Sequence, residues 1–334
     1  MALSNAPRLL AVAIAALTLA GCSAAPAAVS TVAPAAAPKA PMPPVTTSPG
    51  PPTDAGGSWP EAIVAVLDAG GAGWSMVKAG GDLWIQVDSP VDAIVRVDIE
   101  TGERTSAVPL GWKVRTGPEG LWAVCCDWLV RVDLETGDEL LRVPMGGQVA
   151  LADGAAWLLN EKGLHRVDAT TGDVGDPVVL DGESSCAEPK DLAIAFGGAW
   201  LACREGAVVR IDLEDGTTRA IPTAAGAHTF ALTDNDVWVT NYQAGSVSRI
   251  DPATDDVTTI EDVGHGVGIT TGDGYVWAST HSGIAKIDPE TAAVVATIPL
   301  GSGEYYDLVW DDGMIWVSTR GPRILKVDTS NARP

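Results

Sequence analysis

Short apolar runs separated by Gly- and Asp-containing turns recur along most of the chain, from about residue 61 to the C-terminus. In the stretch 190–223 they predict four strands, at 191–196, 199–203, 207–212 and 218–222. The runs are nearly continuous rather than alternating, which is typical of strands whose two faces are both covered. No helical period separates them, so the pattern predicts an all-β closed fold.

The same unit recurs seven times. Aligning the copies puts one Trp at the same place in each, and further along each copy has a basic residue, then Val or Ile, then Asp. The Trp residues are Trp84, Trp122, Trp157, Trp200, Trp238, Trp277 and Trp316. Their mean spacing of about 39 residues lies in the range of stacked or radial repeats. Four strands per repeat then predict a seven-bladed β-propeller of four-stranded antiparallel blades.

The two ends of the chain predict how the ring closes. The last repeat stops after 324–328 and lacks a fourth strand, whereas segment 61–71 resembles 292–303, a fourth strand with its following loop. We therefore expect Ile63 to Leu67 to supply the outer strand of blade seven, which leaves no open sheet edge at the closure.

The repeated Trp positions, here called the Trp column, and the repeated Asp positions, here called the Asp column, both have structural explanations. Asp in a D-x-x-T-G turn accepts hydrogen bonds from turn amides, and the Gly adopts the positive φ that the turn needs. We interpret the Asp column as turn chemistry and the Trp column as packing between blades.

The N-terminus predicts export and anchoring. Residues 1–21 contain Arg8, an apolar run at 9–19 and a small-residue ending before Cys22. This segment resembles a bacterial lipoprotein signal, and that resemblance implies cleavage before Cys22 and a lipid such as palmitate on the mature N-terminus. Residues 22–58 are rich in Ala and Pro and predict a linker, followed by the propeller at 59–334.

Charge excludes one class of partner. The net charge is −22, so nucleic acid and anionic lipid headgroups would be repelled. Apolar residues make up 46%, and Trp (12) outnumbers Phe (2), which indicates that large rings are used at the repeated packing positions.

Segment 237–251, VWVTNYQAGSVSRID, resembles the YVTN family of bacterial β-propellers. The repeats are also similar to those of streptogramin (virginiamycin B) lyases, whose Trp-Phe-Thr-Glu strand accompanies a magnesium site. No Glu lies three residues after any repeat Trp here. Segment 168–172 resembles the turn of pyrroloquinoline quinone (PQQ) dependent dehydrogenases, but the docking Trp that follows it in that family is missing.

Residues that break the repeat pattern are concentrated on one side. In a propeller the loops from strand d to the next strand a, and from b to c, share one face, here called the top face. The a-to-b and c-to-d turns share the bottom face, which is strongly acidic. The expected ligand-binding residues on the top face are Trp112, Arg115, Trp128, Asn241, Tyr242, Tyr305, Tyr306 and Arg320.

Histidine and cysteine add candidate chemistry to the top face. His228, His265 and His281 come from blades five and six and are the catalytic candidates if the protein is an enzyme. Cys186 lies in an insertion that enters blade four and Cys203 ends a strand of that blade, so we expect a disulfide between them. The adjacent Cys125 and Cys126 either form a vicinal disulfide or stay reduced.

These patterns favour a binding or scaffold module for a protein, an envelope polymer or a small ligand. We expect a monomer, lipid-anchored to the outer side of the bacterial cytoplasmic membrane, with no cofactor, no metal and no nucleic-acid partner. The alternative is a metal-dependent lyase-like or quinoprotein-like enzyme that uses His228, His265 and His281.

Overall fold

The computed structural model describes residues 60–88, 93–109, 111, 113–125, 127–180 and 186–334. The described residues belong to one compact unit, and residues 1–59 lie outside the described residues. The predicted signal and linker, together with Cys22, Trp112 and Cys126, also lie outside them. Within the described part of the chain, no helix has the length and apolarity needed to cross a membrane.

The described residues form seven antiparallel sheets, as the repeat predicted. The first strand, β1 (Ile63–Asp68), joins the last blade. Blade one comprises β2 (Gly73–Ala79), β3 (Asp82–Val87), β4 (Ala93–Val97) and β5 (Arg104–Pro109). Blade two comprises β6 (Lys113–Gly117), β7 (Gly120–Val124), β8 (Leu129–Val132) and β9 (Glu139–Val143). Blade three comprises β10 (Gln148–Ala152), β11 (Ala155–Asn160) and β12 (Gly163–Asp168).

The remaining blades follow the same order of strands. Blade four comprises β13 (Pro189–Ala195), β14 (Gly198–Cys203), β15 (Ala207–Asp212) and β16 (Thr218–Pro222). Blade five comprises β17 (Ala227–Leu232), β18 (Val237–Asn241), β19 (Ser246–Ile250) and β20 (Val257–Ile260). Blade six comprises β21 (Ile269–Gly272), β22 (Tyr275–Ser279), β23 (Gly283–Asp288) and β24 (Ala293–Pro299). Blade seven comprises β25 (Tyr305–Asp311), β26 (Met314–Thr319) and β27 (Arg323–Asp328), and a short 3-10 helix, Thr329–Asn331, follows it.

The predicted closure is confirmed. β1 pairs antiparallel with β27, so the N-terminal strand is the outer strand of blade seven. The first strands of successive blades contact each other around a complete ring, from β2 through β25 and back to β2. The C-terminal segment adds a further tie, because Arg333 forms two backbone hydrogen bonds with Thr297 on the outer strand of blade six.

Blade three departs from the regular pattern at its outer edge. In place of a fourth strand, Val174 and Val178 form isolated bridges to Val167 and Leu164. The register shifts by one residue between the two bridges, and the Gly175 amide donates to the Arg166 carbonyl at 2.9 Å, so this segment follows the edge of β12 without forming a regular strand.

The core consists of seven apolar clusters, one between each pair of neighbouring blades. Trp238 of blade five packs with Ile269 and Val276 of blade six, and Trp316 of blade seven packs with Leu83 of blade one. Six of the seven repeat Trp side chains are fully buried, and Trp157 is 8% exposed. The Trp column is therefore the contact that joins the blades.

The Asp column makes turns, as predicted. Asp133 Oδ1 accepts hydrogen bonds from the amides of Glu135 and Thr136, at 2.9 and 2.7 Å, and Gly137 follows with a φ of 70°. The amide of Thr136 is the main cause that lowers the pKa of Asp133. The ionised carboxylates on the bottom face are therefore held by the turns that they close.

Candidate functional site

Charged side chains from the innermost strands meet on the propeller axis. Asp191, on the first strand of blade four, is 4% exposed. Its Oδ1 accepts a hydrogen bond from Lys113 Nζ at 2.8 Å and one from Arg115 Nη2 at 2.5 Å. Lys113 and Arg115 lie on the first strand of blade two, so the contacts cross the channel. We call these three residues the axial ion cluster.

Other atoms of the axial ion cluster are also hydrogen-bonded. Asp191 Oδ2 accepts from the Phe230 amide at 3.1 Å. Lys113 Nζ donates to the Lys190 carbonyl at 2.9 Å and lies 3.3 Å from Gln148 Oε1. Full pairing is what a buried charge needs to remain in a protein interior.

Burial and mutual attraction set the protonation of the cluster. Burial, opposed by Asp191 and reinforced by Arg115, lowers the pKa of Lys113 to about 8. Burial acts to raise the pKa of Asp191, but Arg115 and Lys113 outweigh it and hold that pKa well below its ordinary value. At neutral pH the cluster is therefore an ionised carboxylate between two cations.

Two further titratable groups line the axis. The imidazole Nδ1 of His228 lies 2.9 Å from Thr229 Oγ1, and burial together with the charge of Lys113 lowers the pKa of His228 to about 4. Asp307 Oδ2 accepts from the Met76 amide at 2.8 Å, which links blade seven to blade one. Burial raises the pKa of Asp307. Because the pKa of His228 is about 4, its imidazole is neutral at pH 7.

A cavity opens on each side of the axial ion cluster. The bottom cavity, of about 780 Å³, is lined by the far ends of the innermost strands and includes Arg115, Asp191 and Asp307. The top cavity, of about 920 Å³, is lined by Lys113, His228 and loops of blades two and three. Asp191 faces the bottom cavity and Lys113 the top one, so the ion pair lies between them.

The rim of the top cavity carries an exposed aromatic ring that the sequence pattern did not single out. Trp74 is 48% exposed and stacks on Tyr306, with ring centroids 4.4 Å apart. Its indole N–H donates to Asp88 Oδ2 at 2.8 Å. Trp74 does not belong to the repeated Trp positions, and it lies at the start of β2, next to a top-face loop. These two features of the sequence could have marked it as a candidate ligand-binding residue.

The predicted ligand-binding residues are not all available to a ligand. Asn241 is fully buried and contacts Ser246 and Ser248. Tyr305 is 7% exposed, and its hydroxyl donates to the Leu300 carbonyl at 3.0 Å. These two side chains hold loops of the top face in place.

Other predicted residues are partly or fully exposed. Tyr242 is 47% exposed, and its carbonyl oxygen lies 2.8 Å from His265 Nδ1. Trp128 is covered by Arg142, whose guanidinium carbon lies 4.6 Å from the ring centroid. Arg320 donates to Glu304 at 2.9 Å.

Tyr306 connects these groups to the rim. Its hydroxyl donates to Glu304 at 2.9 Å, and burial together with Glu304 raises the pKa of Tyr306 to about 12.

Of the remaining predicted ligand-binding residues, Trp112 lies outside the described residues, and Arg115 belongs to the axial ion cluster.

The three candidate histidines have different surroundings. His228 lines the top cavity, His265 is exposed and contacts Tyr242, and His281 is exposed on its loop. Across the described ranges, no group of three or more His, Cys, Asp or Glu side chains is arranged to hold a metal ion.

The disulfide prediction for blade four is confirmed. Cys186 and Cys203 are bonded, with Cα atoms 5.4 Å apart. The bond fixes the entry of the insertion beside the top cavity. Cys125 is buried and lines that cavity, and its neighbour Cys126 lies outside the described residues.

Comparisons with known proteins support the fold. A family model described as a domain of unknown function (DUF5074) matches residues 192–332. No curated protein matches the chain. Virginiamycin B lyase from Staphylococcus aureus superposes with a TM-score of 0.65 at 15% identity, over 79% of this chain and 98% of that one.

Two other solved structures are similar at comparable identity. BamB from Moraxella catarrhalis gives a TM-score of 0.53 at 12% identity, over 78% of this chain and 89% of that one. The extracellular domain of a one-component system from B. thetaiotaomicron gives 0.62 at 13%, over 83% of this chain and 44% of that one. The chain is thus a seven-bladed β-propeller similar to streptogramin lyase-like and BamB-like propellers.

Proposed function

We propose that the protein is an exported, lipid-anchored propeller whose top face binds a protein, an envelope polymer or a small ligand. The observation that carries this proposal is the top cavity of about 920 Å³, bordered by the exposed ring of Trp74. Ligand sites combine a concave surface, exposed aromatic groups and a few polar groups in this way.

The axial ion cluster supports a binding role for the top cavity. Lys113, Arg115 and Asp191 are paired with one another and with backbone groups. A general base needs an unprotonated group that is free to accept a proton, whereas Asp191 is paired with both cations and Lys113 keeps its proton at pH 7. His228, neutral at pH 7, is left to donate or accept a hydrogen bond.

The anchor is proposed from the sequence. Cys22 ends a lipoprotein-like signal, and residues 22–58 provide a spacer between the membrane and the propeller. A similar fold in an extracellular domain from B. thetaiotaomicron is consistent with export. Replacing Cys22 by Ala is expected to move the protein from the membrane fraction to the soluble fraction of the cell envelope.

Photo-crosslinking in living cells tests the binding face. A photoreactive amino acid at position 162, an exposed site that lines the top cavity, is expected to give adducts after irradiation. The same amino acid at position 214, an exposed site on the bottom face, is the matched control and is expected to give none. Adducts from position 214 alone, or from neither position, would overturn the proposal.

A lyase activity is the second candidate, because virginiamycin B lyase has a similar fold and His228 lines the top cavity here. This candidate predicts that Mg²⁺ raises the melting temperature in wild type but not in His228→Ala or His281→Ala. A ligand stabilises only in proportion to its selective binding to the folded state. Equal melting curves with and without Mg²⁺ would contradict it.

A further inference from the structure

Trp74 is a large apolar ring that is held rigid while much of it is exposed to solvent. Tyr306 covers one side, with an angle of 24° between the two ring planes. The hydrogen bond from the indole N–H to Asp88 fixes the rotation of the ring. Burying a Trp is strongly favourable, so a fixed and half-exposed indole indicates a surface prepared for a ligand.

The wall of the top cavity is rich in polar groups. Asp127, Asn160, Glu161 and Lys162 line it. Asn160 uses its side-chain oxygen to accept from the Lys162 amide at 2.9 Å. Its amide nitrogen, the carboxylates of Asp127 and Glu161 and the Lys162 ammonium have no partner among the described residues. The wall therefore offers both donors and acceptors.

We propose that the top cavity binds a saccharide, with one pyranose ring stacked on Trp74. A pyranose has an apolar face of C–H groups, which suits an indole ring, and a rim of hydroxyls that both donate and accept hydrogen bonds. The unpaired carboxylates, amide and ammonium of the wall match that rim. This inference rests on the proposed function and names the ligand class for the same face.

Other ligand chemistries fit the top cavity less well. A purely apolar ligand would cover Asp127, Glu161 and Lys162 without pairing them, which costs about 1–3 kcal/mol for each polar group left unsatisfied. A polyanion would bring its charge close to the unpaired carboxylates of Asp127 and Glu161, which line the same cavity as the Lys162 ammonium. A neutral polyhydroxylated ring avoids both penalties.

Calorimetric titration with defined tetrasaccharides tests the inference. The probes are chitotetraose, cellotetraose and maltotetraose, added to the purified full chain. We expect at least one to bind, and Trp74→Ala to weaken that binding about tenfold or more, which corresponds to roughly 1.4 kcal/mol. Trp74→Phe keeps a ring and is expected to retain part of the affinity.

A matched control separates stacking from general damage. Phe196 is also an exposed aromatic residue, 37% accessible, but it lies in an a-to-b turn on the bottom face. Phe196→Ala is expected to leave the affinity unchanged. The inference is overturned if none of the three probes binds at about 10 mM, or if Trp74→Ala binds as tightly as wild type.

The two proposals can fail separately. If the tetrasaccharides do not bind but position 162 still cross-links to a protein, the saccharide inference is overturned and the binding face survives. If the tetrasaccharides bind with wild-type affinity to Trp74→Ala, the inference is also overturned, because the sugar then lies elsewhere. Loss of both the adducts and the titration signal overturns the proposed function as well.

Discussion

Replacing Asp191 by Asn tests whether the axial ion cluster holds the centre of the propeller together. Asn keeps the shape of Asp and an oxygen that can accept from the Phe230 amide, but it removes the negative charge between Lys113 and Arg115. Removing one partner of a buried ion pair costs about 3–5 kcal/mol, because the remaining charge is left uncompensated.

Lys113 and Arg115 respond differently to the loss of Asp191, and this difference sets the size of the expected decrease in unfolding free energy. The pKa of Lys113 is about 8, so at pH 7 the side chain can become neutral at a cost of about 1.4 kcal/mol, which limits its share. Arg115 cannot lose its proton. Its side chain is 22% exposed, so water relieves part of its charge. We therefore expect Asp191→Asn to lower the free energy of unfolding by about 3 kcal/mol, the lower end of that range.

Urea unfolding followed by Trp fluorescence measures the effect, since six repeat Trp side chains are fully buried. The double variant Asp191→Asn, Arg115→Met has one fewer uncompensated charge and is expected to be more stable than Asp191→Asn alone. The single variant Asp191→Asn is also expected to recover stability as pH rises above 7. Without Asp191, the pKa of Lys113 in the folded state falls further below its unfolded value of 10.5, so the unfolded state binds more protons over this range.

The reasoning is refuted by either of two results. One is an Asp191→Asn protein whose free energy of unfolding lies within about 0.5 kcal/mol of wild type, the range of ordinary surface substitutions. The other is a double variant that is less stable than the single one, which would show that Arg115 stabilises the fold without Asp191.

Three further predictions concern protonation, the disulfide and the Trp column. The pKa of His228 falls from 6.5 to about 4 on folding, so the unfolded state binds more protons between these values, and stability falls as pH drops from about 6.5 to 4. Denaturant titrations should show this loss reduced by roughly 3 kcal/mol or less in His228→Gln, and an unchanged pH profile would contradict the burial of the imidazole. The Cys186–Cys203 bond closes a loop with a sequence separation of 17, so Cys186→Ser should lower the unfolding free energy by about 3 kcal/mol, whereas an unaltered urea midpoint would refute this role. Trp200 and Trp238 are both fully buried, but only the Trp200 indole donates a hydrogen bond, to a carbonyl at 3.0 Å. Trp200→Phe should therefore cost about 1 kcal/mol more than Trp238→Phe, and equal melting temperatures would show that this bond contributes little.

Much of the fold was predictable from the sequence because the same packing and turn residues recur in all seven copies of the repeat. The Trp column fixes the number of blades, and the Asp column marks the turn after each third strand. The likeness of segment 61–71 to 292–303 predicted that β1 would close blade seven. The irregular edge of blade three was not predicted, because it depends on a local shift of register that the repeat pattern does not contain.

The candidate site was less predictable because it depends on contacts between residues far apart in sequence. Lys113 and Asp191 are 78 residues apart, and only the closed ring brings them together. Loop assignment placed Asn241 and Tyr305 on the top face but could not show that their side chains are buried. Trp74 was missed because its position depends on its stacking partner Tyr306, which comes from the other end of the chain.

Oxidative footprinting tests the central claim that the top face is occupied in the cell. Trp74 and Met145 border the top cavity, and Phe196 is an exposed side chain of the bottom face. All three are oxidisable residues of the natural sequence, so the experiment needs no substitution. Hydroxyl radicals applied to intact cells and to the purified protein, followed by mass spectrometry, give the oxidation of each side chain. We predict that Trp74 and Met145 are protected in cells relative to the purified protein, while Phe196 is oxidised equally in both. Equal oxidation of Trp74 in both samples, or protection of Phe196 alone, would contradict the account.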